Sequence, residues 1–319
     1  MTKFLSAAVT FAVLTLITAS TGFSQLSLRN AVDTDADGKA DYSIFRPSNN
    51  IWYINKSGGG FTFQTFGLAN EDFITPGDYD GDGMGDIGVW RDTTGVWYHL
   101  NSSDSTFSVT PFGISGDDPV ARDYDGDGKT DLGIVRRTNG AIIWYILKSF
   151  DSSYYVQQFG LSTDYIAPGD YDGDGKFDIA VQRPGATASA QTYFYVYQSA
   201  TSTVSITPWG IGNDLVVPGD YDGDDKTDLA ILREGSTPAS PLTWYILQSS
   251  DGQALIAQFG LSGDDINVQN DYDGDNKTDI AIWRNSTGQF WVRRSSDGVY
   301  GVTQWGSPND YPVASYDTH

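Results

Sequence analysis

Short runs that alternate apolar and polar residues recur along the chain. Each run predicts a β-strand, because strand side chains point to opposite faces in turn. No segment beyond the first 24 residues keeps the 3.6-residue periodicity of an amphipathic helix. The clearest runs share a small second residue, which predicts a crowded place such as the axis of a ring, and a final arginine. They are Tyr42–Arg46, Ile87–Arg91, Leu132–Arg136, Ile179–Arg183, Leu229–Arg233 and Ile280–Arg284.

Two further strand segments follow each of these runs. The first contains a pair of aromatic residues: Trp52-Tyr53, Trp97-Tyr98, Trp144-Tyr145, Phe194-Tyr195, Trp244-Tyr245 and Phe290-Trp291. The second ends in an aromatic residue followed by glycine: Phe66-Gly67, Phe112-Gly113, Phe159-Gly160, Trp209-Gly210, Phe259-Gly260 and Trp305-Gly306. We expect the arginines to pair with an acid four residues beyond each glycine. These acids are Glu71, Asp117, Asp164, Asp214, Asp264 and Asp310.

A last apolar stretch completes each unit, so a unit holds four short strands. Successive units start 45, 45, 47, 50 and 51 residues apart. Blades of four strands at about 40–50 residues are typical of β-propellers. The pattern therefore predicts an all-β propeller with six four-stranded blades; seven blades and an open β-solenoid are the alternatives.

The end of the chain bears on how such a ring closes. Tyr311–Asp317 copies Pro119–Asp125 with one residue missing and then stops. This lone strand is a candidate to complete the first blade, although the segment before Asp33 competes for the same place.

A nine-residue motif, D-x-D-x-D-x-x-x-D, opens every unit. Its aspartates at positions 1, 3, 5 and 9 and the backbone carbonyl at position 7 can wrap a Ca²⁺ ion, which takes six to eight oxygen ligands. The predicted ligands are Asp33, Asp35, Asp37, Lys39 and Asp41; Asp78, Asp80, Asp82, Met84 and Asp86; Asp123, Asp125, Asp127, Lys129 and Asp131; Asp170, Asp172, Asp174, Lys176 and Asp178; Asp220, Asp222, Asp224, Lys226 and Asp228; and Asp271, Asp273, Asp275, Lys277 and Asp279.

Position 6 of the motif indicates a tight turn around the ion. It is glycine in four units and Asp225 or Asn276 in the other two. These are the residue types that best tolerate positive φ, so all six loops meet one backbone demand, with weaker binding in the last two as the alternative. Mg²⁺ prefers a stricter octahedral geometry and Zn²⁺ prefers nitrogen or sulfur ligands. The motif thus predicts about six structural Ca²⁺ ions.

Charge and the N-terminus limit the classes of partner and the location. The formal charge is −22, which disfavours binding to nucleic acid or to anionic lipid. Residues 1–24 have the pattern of a secretory signal peptide, with Lys3 before an apolar run. A membrane helix is the alternative, although the run is shorter than the roughly 20 residues of a span. We therefore expect a secreted, extracellular protein with no membrane insertion after signal removal, whose residues 25–319 form one propeller domain.

The repeated residues resemble the FG-GAP family, also described as VCBS-type repeats, and the propeller of integrin alpha subunits. The Asp loops, the aromatic–Gly pairs and the Pro-Gly before three loops carry this resemblance over Asp33 to Asp317. It implies a β-propeller with structural calcium in loops that join the first and second strands of a blade. The chain departs from the integrin pattern by showing six units rather than seven, all of them with a metal loop.

Catalytic candidates are few in this sequence. The only histidines are His99, expected to pack in a strand or lie at the surface, and the terminal His319, and there is no cysteine. A catalytic triad therefore has no suitable base, and a cysteine nucleophile is excluded. The acids that do not recur, such as Asp92, Asp104, Glu234 and Asp297, stand in turn-like contexts.

These observations favour a non-enzymatic binding or adhesion scaffold with an unidentified extracellular protein or glycan as its ligand. A lectin-like carbohydrate binder is the second hypothesis, because tryptophan and tyrosine rings can stack on sugars, although we expect most of them in the core between blades. A polysaccharide-acting enzyme is the third. Longer turns, such as Pro184–Gln191 and Glu234–Pro241, are expected in units three to five and would offer a contact surface on one face.

Overall fold

The computed structural model describes residues 30–314. The predicted signal peptide and the last five residues lie outside this part of the chain. Every named element of the described part is a β-strand, and the 24 strands form six four-stranded sheets. All pairings within these sheets are antiparallel.

Each sheet is one blade, and its four strands run from the axis of the ring to the rim. The innermost strands are β4 (Asp72–Ile74), β8 (Asp118–Pro119), β12 (Tyr165–Ile166), β16 (Leu215–Val216), β20 (Asp265–Asn267) and β24 (Tyr311–Val313). The second strands are β1 (Tyr42–Arg46), β5 (Ile87–Arg91), β9 (Leu132–Thr138), β13 (Ile179–Arg183), β17 (Leu229–Arg233) and β21 (Ile280–Arg284).

The third and fourth strands complete the blades outward. The third strands are β2 (Ile51–Asn55), β6 (Val96–Leu100), β10 (Ala141–Leu147), β14 (Gln191–Tyr197), β18 (Pro241–Leu247) and β22 (Gln289–Arg293). The outermost strands are β3 (Phe61–Thr65), β7 (Phe107–Pro111), β11 (Tyr154–Leu161), β15 (Val204–Ile211), β19 (Ala254–Leu261) and β23 (Tyr300–Gln304).

Strand β24 closes the ring. It pairs with β1 through Ser43↔Val313, Ile44↔Pro312 and Phe45↔Tyr311, so the end of the chain supplies the innermost strand of blade one. The prediction of six blades is confirmed, and the seven-blade and open-solenoid alternatives are wrong. Of the two segments considered for this position, the C-terminal strand β24 occupies it.

The core lies between adjacent blades. Alternation along the third strands buries every second side chain, as for Ile142, Trp144 and Ile146 of β10. Trp144 packs in one cluster with Phe177 and Val181, which belong to the next blade. Six of the nine tryptophans are fully buried in this way, as expected: Trp52, Trp90, Trp97, Trp144, Trp244 and Trp283.

The small residue near the start of each second strand lies against the backbone of the innermost strand. A Cβ on Gly88 would come within 2.3 Å of the Thr75 carbonyl oxygen and 3.0 Å of the Tyr79 ring, and one on Gly133 within 2.5 Å of the Val120 carbonyl oxygen. The predicted crowding is therefore real, but it arises one strand away from the axis.

Two predictions from the sequence are wrong in part: the longer turn of unit three and the choice of acid beside two of the arginines. The extra residues of unit three do not form a longer turn: they extend β9 to Thr138 and the hairpin turns tightly through Asn139 and Gly140, both at positive φ. Longer connections occur where they were predicted in units four and five, over residues 184–190 and 234–240.

The acids that pair with the arginines are set by the Asp loop and not by the aromatic–Gly pair. In blades two and six the partners are Asp72 and Asp265, whose carboxylates lie 2.7 and 2.8 Å from Arg91 and Arg284, whereas Glu71 is 3.9 Å away. One extra residue follows the glycine in these blades, so each pairing acid stands six residues before an Asp loop. The other pairs are Arg46–Asp310, Arg136–Asp117, Arg183–Asp164 and Arg233–Asp214, as predicted.

The axis is lined by innermost strands from all six blades. Cavities of about 510 and 420 Å³ lie along it and share Phe73, Ile74 and Ala314. Asp118 is the one acidic residue among those that line the second cavity, and its carboxylate lies 3.0 Å from the Arg137 guanidinium. Within the described residues, no helix is long and apolar enough to cross a membrane.

Candidate metal sites

Five of the six Asp motifs form turns that join the innermost strand of a blade to its second strand, and the first motif precedes β1 of blade one, whose innermost strand is β24. We number these turns loop 1 to loop 6 in chain order, starting at Asp33, Asp78, Asp123, Asp170, Asp220 and Asp271. The aspartates at positions 1 and 9 of every loop are buried. In each of five loops, oxygens from three carboxylates lie within 4.8 Å of one another, as for Asp123, Asp125 and Asp127, and one more such group is present in the described chain.

Backbone conformation confirms the interpretation of position 6. Its φ is between 83° and 87° at the four glycines, 66° at Asp225 and 65° at Asn276. Position 4 also requires positive φ in every loop, which sequence reasoning missed. It is Ala36 at 58° in loop 1 and a glycine at 78° to 82° in the other five. The signal was a glycine repeated in five of six motifs.

Backbone amides orient the buried carboxylates. The N–H of position 6 donates to Oδ2 of position 1 at 2.9 Å in all six loops. The N–H of position 2 donates to Oδ2 of position 9 in all six, at 2.7 Å in loop 2 and 3.0 Å in loop 6. These bonds fix one oxygen of each of the two carboxylates in every loop.

Burial and mutual repulsion raise the pKa of these acids. Desolvation raises the pKa of Asp131, Asp178, Asp228 and Asp279 to about 7, and neighbouring loop carboxylates add to the shift. The same causes raise the pKa of Asp78, Asp86, Asp123 and Asp220 to about 6. Charged carboxylates are therefore costly in these loops unless a cation compensates them.

Three loops contain a carboxylate oxygen that suits such a cation. Oδ1 of Asp35, Asp172 and Asp222, all at position 3, is shielded from solvent and accepts no hydrogen bond. A buried oxygen of this kind normally has a partner, and a hard cation is the partner that a set of carboxylates prefers. The residues present therefore fit a Ca²⁺ ion. The carbonyls of position 7 remain predicted ligands, since the contacts described for this position involve its N–H and side chain.

The loops are hydrogen-bonded to one another around the whole ring. The N–H of position 8 donates to the carbonyl of position 1 in the preceding loop, and Ala40 of loop 1 donates to Asp271 of loop 6 at 2.7 Å. The other five bonds join Gly85 to Asp33, Thr130 to Asp78, Phe177 to Asp123, Thr227 to Asp170 and Thr278 to Asp220. We call this closed set of contacts the loop belt.

Lysines at position 7 reinforce the loop belt. The Lys129 and Lys277 ammonium groups donate to the carbonyls of Asp80 and Asp222 in the preceding loops, both at 2.8 Å. Their stems lie over the position 4 glycines, leaving no room for a Cβ. Loop 1 has Ala36 instead of glycine at position 4, and loop 2 has Met84 instead of lysine at position 7.

Comparisons with known proteins address the identity of this repeat. A family model described as the FG-GAP-like repeat matches residues 33–89 and 123–181. These two segments of the chain are similar to FG-GAP-like repeats. No curated protein matches it significantly.

Solved structures give only distant similarity. Two structures of AztD from Citrobacter koseri, one of them described as the apo form, are 9% and 10% identical to the chain, with TM-scores of 0.40 and 0.41. Each comparison covers 86% of this chain and 96% of the other. Similarity at this level transfers no function.

A serine beside each loop was missed as part of the site. It follows the third strand of every blade, five residues after the first member of the aromatic pair of that strand, and with the next residue it forms a turn that we call the Ser turn. The six Ser turns are Ser57-Gly58, Ser102-Ser103, Ser149-Phe150, Ser199-Ala200, Ser249-Ser250 and Ser295-Ser296. The constant spacing was the available signal, but serine is ordinary in hairpin turns and so attracted no chemical interpretation.

Other residues considered for function have structural surroundings. His99 is buried and stacks on Tyr79 with ring centroids 4.4 Å apart, and burial lowers its pKa to about 4. Asp92 accepts bonds from Ser115 and Gly116, Asp104 from the N–H of Thr106, and Asp297 pairs with Arg294. Exposed large apolar residues instead mark the outermost strands, for example Phe61, Phe63, Tyr154 and Tyr300.

Proposed function

We propose that this chain is a secreted, calcium-binding propeller that acts as a non-enzymatic scaffold for binding an extracellular protein or a glycan. Its fold, a six-bladed propeller with FG-GAP-like repeats, is consistent with a binding scaffold. The observation that carries the calcium part is the set of buried carboxylate clusters, with orphaned oxygens at position 3, repeated around one face.

Calcium would serve stability in this proposal. The four aspartates of a loop repel one another, and six ions would bring the formal charge from −22 to about −10, since six ions add +12. The position 1, 3, 5 and 9 carboxylates and the position 7 carbonyl would hold each ion. A protein that binds metal only when folded is stabilised by mass action.

Secretion rests on the N-terminal pattern at residues 1–24. The surface available to a ligand includes the face opposite the loops, where the connections at 184–190 and 234–240 lie, and the apolar rim. A carbohydrate ligand could not rely on the six buried tryptophans, so its rings would stack on rim aromatics such as Tyr300.

Calorimetric titration of metal-stripped protein with Ca²⁺, with thermal melts alongside, tests the proposal. We expect about six sites and a melting temperature that rises strongly with calcium. Equal melting temperatures in calcium and in chelator would contradict it. Turnover of a polysaccharide that depends on one non-recurring acid, such as Glu234, would contradict the non-enzymatic part.

A further inference from the structure

The Ser turn contacts the carboxylates of its own loop in every blade. Its serine N–H donates to Oδ1 of the position 9 aspartate at 2.6 to 2.8 Å in all six blades. Together with the N–H of position 2, this bond fixes both oxygens of that carboxylate from two sides. The Ser turn is therefore the wall of the site that faces the rim.

The serine hydroxyl adds a bond to the position 5 aspartate in five of six blades. Ser149 Oγ is the fullest case, since it lies 3.0 Å from both oxygens of Asp127 and 2.8 Å from Oδ1 of Asp131. The equivalent bonds join Ser57 to Asp37, Ser102 to Asp82, Ser249 to Asp224 and Ser295 to Asp275.

The second residue of the turn supplies a donor to position 3. Where it is serine, its hydroxyl donates to Oδ2 of Asp80, Asp222 or Asp273 at 2.5 to 2.7 Å. Where it is another residue, only a backbone N–H reaches this carboxylate, at 3.2 to 3.3 Å. The turn thus donates to three of the four aspartates of its loop in five blades, and to two of them in blade four.

We propose that the Ser turn is the second half of each metal site and that its serine is a positioning residue for the metal. This inference rests on the calcium binding proposed above. A hydrogen bond to one lone pair of a carboxylate fixes its orientation and leaves the other lone pairs for the ion. Such outer contacts to ligands typically change metal affinity by about 10- to 100-fold.

The fold alone does not require serine at this place. A hairpin turn between two strands accepts glycine, asparagine or aspartate equally well, and the residue after the serine varies among Gly, Ser, Phe and Ala. The serine is present in all six turns, and in five its hydroxyl meets a loop carboxylate. The requirement therefore comes from the loop and not from the turn.

The contacts also rank the sites. In blade four the Ser199 hydroxyl is shielded from solvent and has no hydrogen-bond partner, and Ala200 has no hydroxyl. The Ser turn of blade four donates to loop 4 only through two backbone amides, at 2.7 Å to Asp178 and 3.2 Å to Asp172. We infer that loop 4 binds the ion less tightly than loop 5, whose Ser turn donates two hydroxyls.

Ser149→Ala tests the proposal in the full mature chain. Native mass spectrometry would count bound Ca²⁺ at a free calcium concentration that just saturates the wild type, and competition with a chelator would measure the affinities. We expect one ion fewer and an affinity about 10- to 100-fold weaker at that site, with Ser149→Thr restoring both. Ser115→Ala is the matched control, because Ser115 also donates to an aspartate, Asp92, but away from the loops.

Melting in chelator separates positioning from plain stability. If Ser149→Ala lowers the chelator melting temperature but binds calcium like the wild type, the serine is only structural and the proposal is overturned. A wild type that binds no calcium would overturn the proposed function itself. Should Ser149→Ala fail to fold, Ser250→Ala on exposed residue Ser250 tests the same idea in loop 5.

Ala200→Ser is the gain-of-function test. The new hydroxyl would stand where Ser250 reaches Asp222, so we expect loop 4 to gain affinity by up to about tenfold. Unchanged or weaker binding would overturn the ranking of the six sites.

Discussion

At the scale of single residues, the same contact recurs in six slightly different settings. Each second strand contains an arginine that bonds an aspartate at the start of the innermost strand or just before it, and that lies over the ring of a neighbouring tyrosine or tryptophan, as Arg183 does over Tyr195 at 4.3 Å. Such pairs combine charge-assisted hydrogen bonds with a cation–π contact. They tie the innermost strand to the second and third strands of the blade.

Arg136→Ala should therefore destabilise the protein. Asp117 is 1% exposed and Arg136 is 28% exposed, so losing the guanidinium leaves a buried carboxylate with one partner fewer. We expect a loss of about 2 kcal/mol, discounted from the fully buried case because water reaches the arginine. Urea unfolding in saturating calcium measures it.

Arg294→Ala is the control for this prediction. Arg294 and Asp297 are 42% and 45% exposed, so this pair should contribute less than about 1 kcal/mol. Equal losses in the two variants would show that burial does not govern the arginine pairs.

At the scale of the elements, the repeat spacing predicted most of the fold. Alternation, turns and the constant position of Arg46 and its equivalents gave six blades of four strands, because a period of about 47 residues leaves room for little else. What could not be predicted depends on contacts across the chain. Asp72 and Glu71 are both acids in the right region, and only the register of β4 against β5 selects Asp72.

The metal sites show the same division. The spacing of Asp123, Asp125 and Asp127 predicted a loop around an ion, and the conformation of position 6 was predicted from its residue types alone. The partnership of Ser149 with this loop was not, because the two stand about 20 residues apart and meet only when β9 and β10 pair. The loop belt was missed for the same reason.

The closing strand β24 provides the test at this scale. Val313 is 3% exposed and packs with Phe45 and Trp52, whereas Tyr311 in the same strand is 44% exposed. Val313→Asp places an uncompensated charge in this core, so we expect a melting temperature lower by well over 10 °C. Tyr311→Asp should cost only a few degrees, and similar melting curves for the two variants would mean that β24 does not close the ring.

At the scale of the whole molecule, charge sets the response to conditions. Twelve buried aspartates, two in each loop, are arranged in a ring around the axis on one face of the propeller. Each of these carboxyl groups has a raised pKa or accepts hydrogen bonds from backbone amides. The stability of the metal-free protein should therefore depend on pH.

In chelator, the melting temperature should fall as the pH rises from about 5 to 8. The folded protein holds protons on Asp131, Asp178, Asp228 and Asp279 up to a pKa of about 7, whereas these acids titrate near 4 when unfolded. The folded state therefore binds more protons across this window, and its free energy of unfolding decreases as they are lost.

Calcium should reverse that trend, because the loops bind the ion as carboxylates and proton release favours binding at higher pH. Melts at pH 5, 6, 7 and 8, with and without calcium, check both signs. A flat or rising curve in chelator would contradict the assignment of the buried acids.

The position of β24 has a consequence for the order in which the molecule can be completed. Blade one begins with β1, the first strand of the described residues, yet its innermost strand is β24, the last strand of that part of the chain. A growing polypeptide can assemble blades two to six as it emerges, but blade one stays incomplete, with its core edge open, until β24 is synthesised. The bond from Ala40 to Asp271 that completes the loop belt likewise joins the first loop to the last. Closure of the ring is therefore a late, single step. A chain that ended before β24 would expose the apolar edge of blade one to proteases.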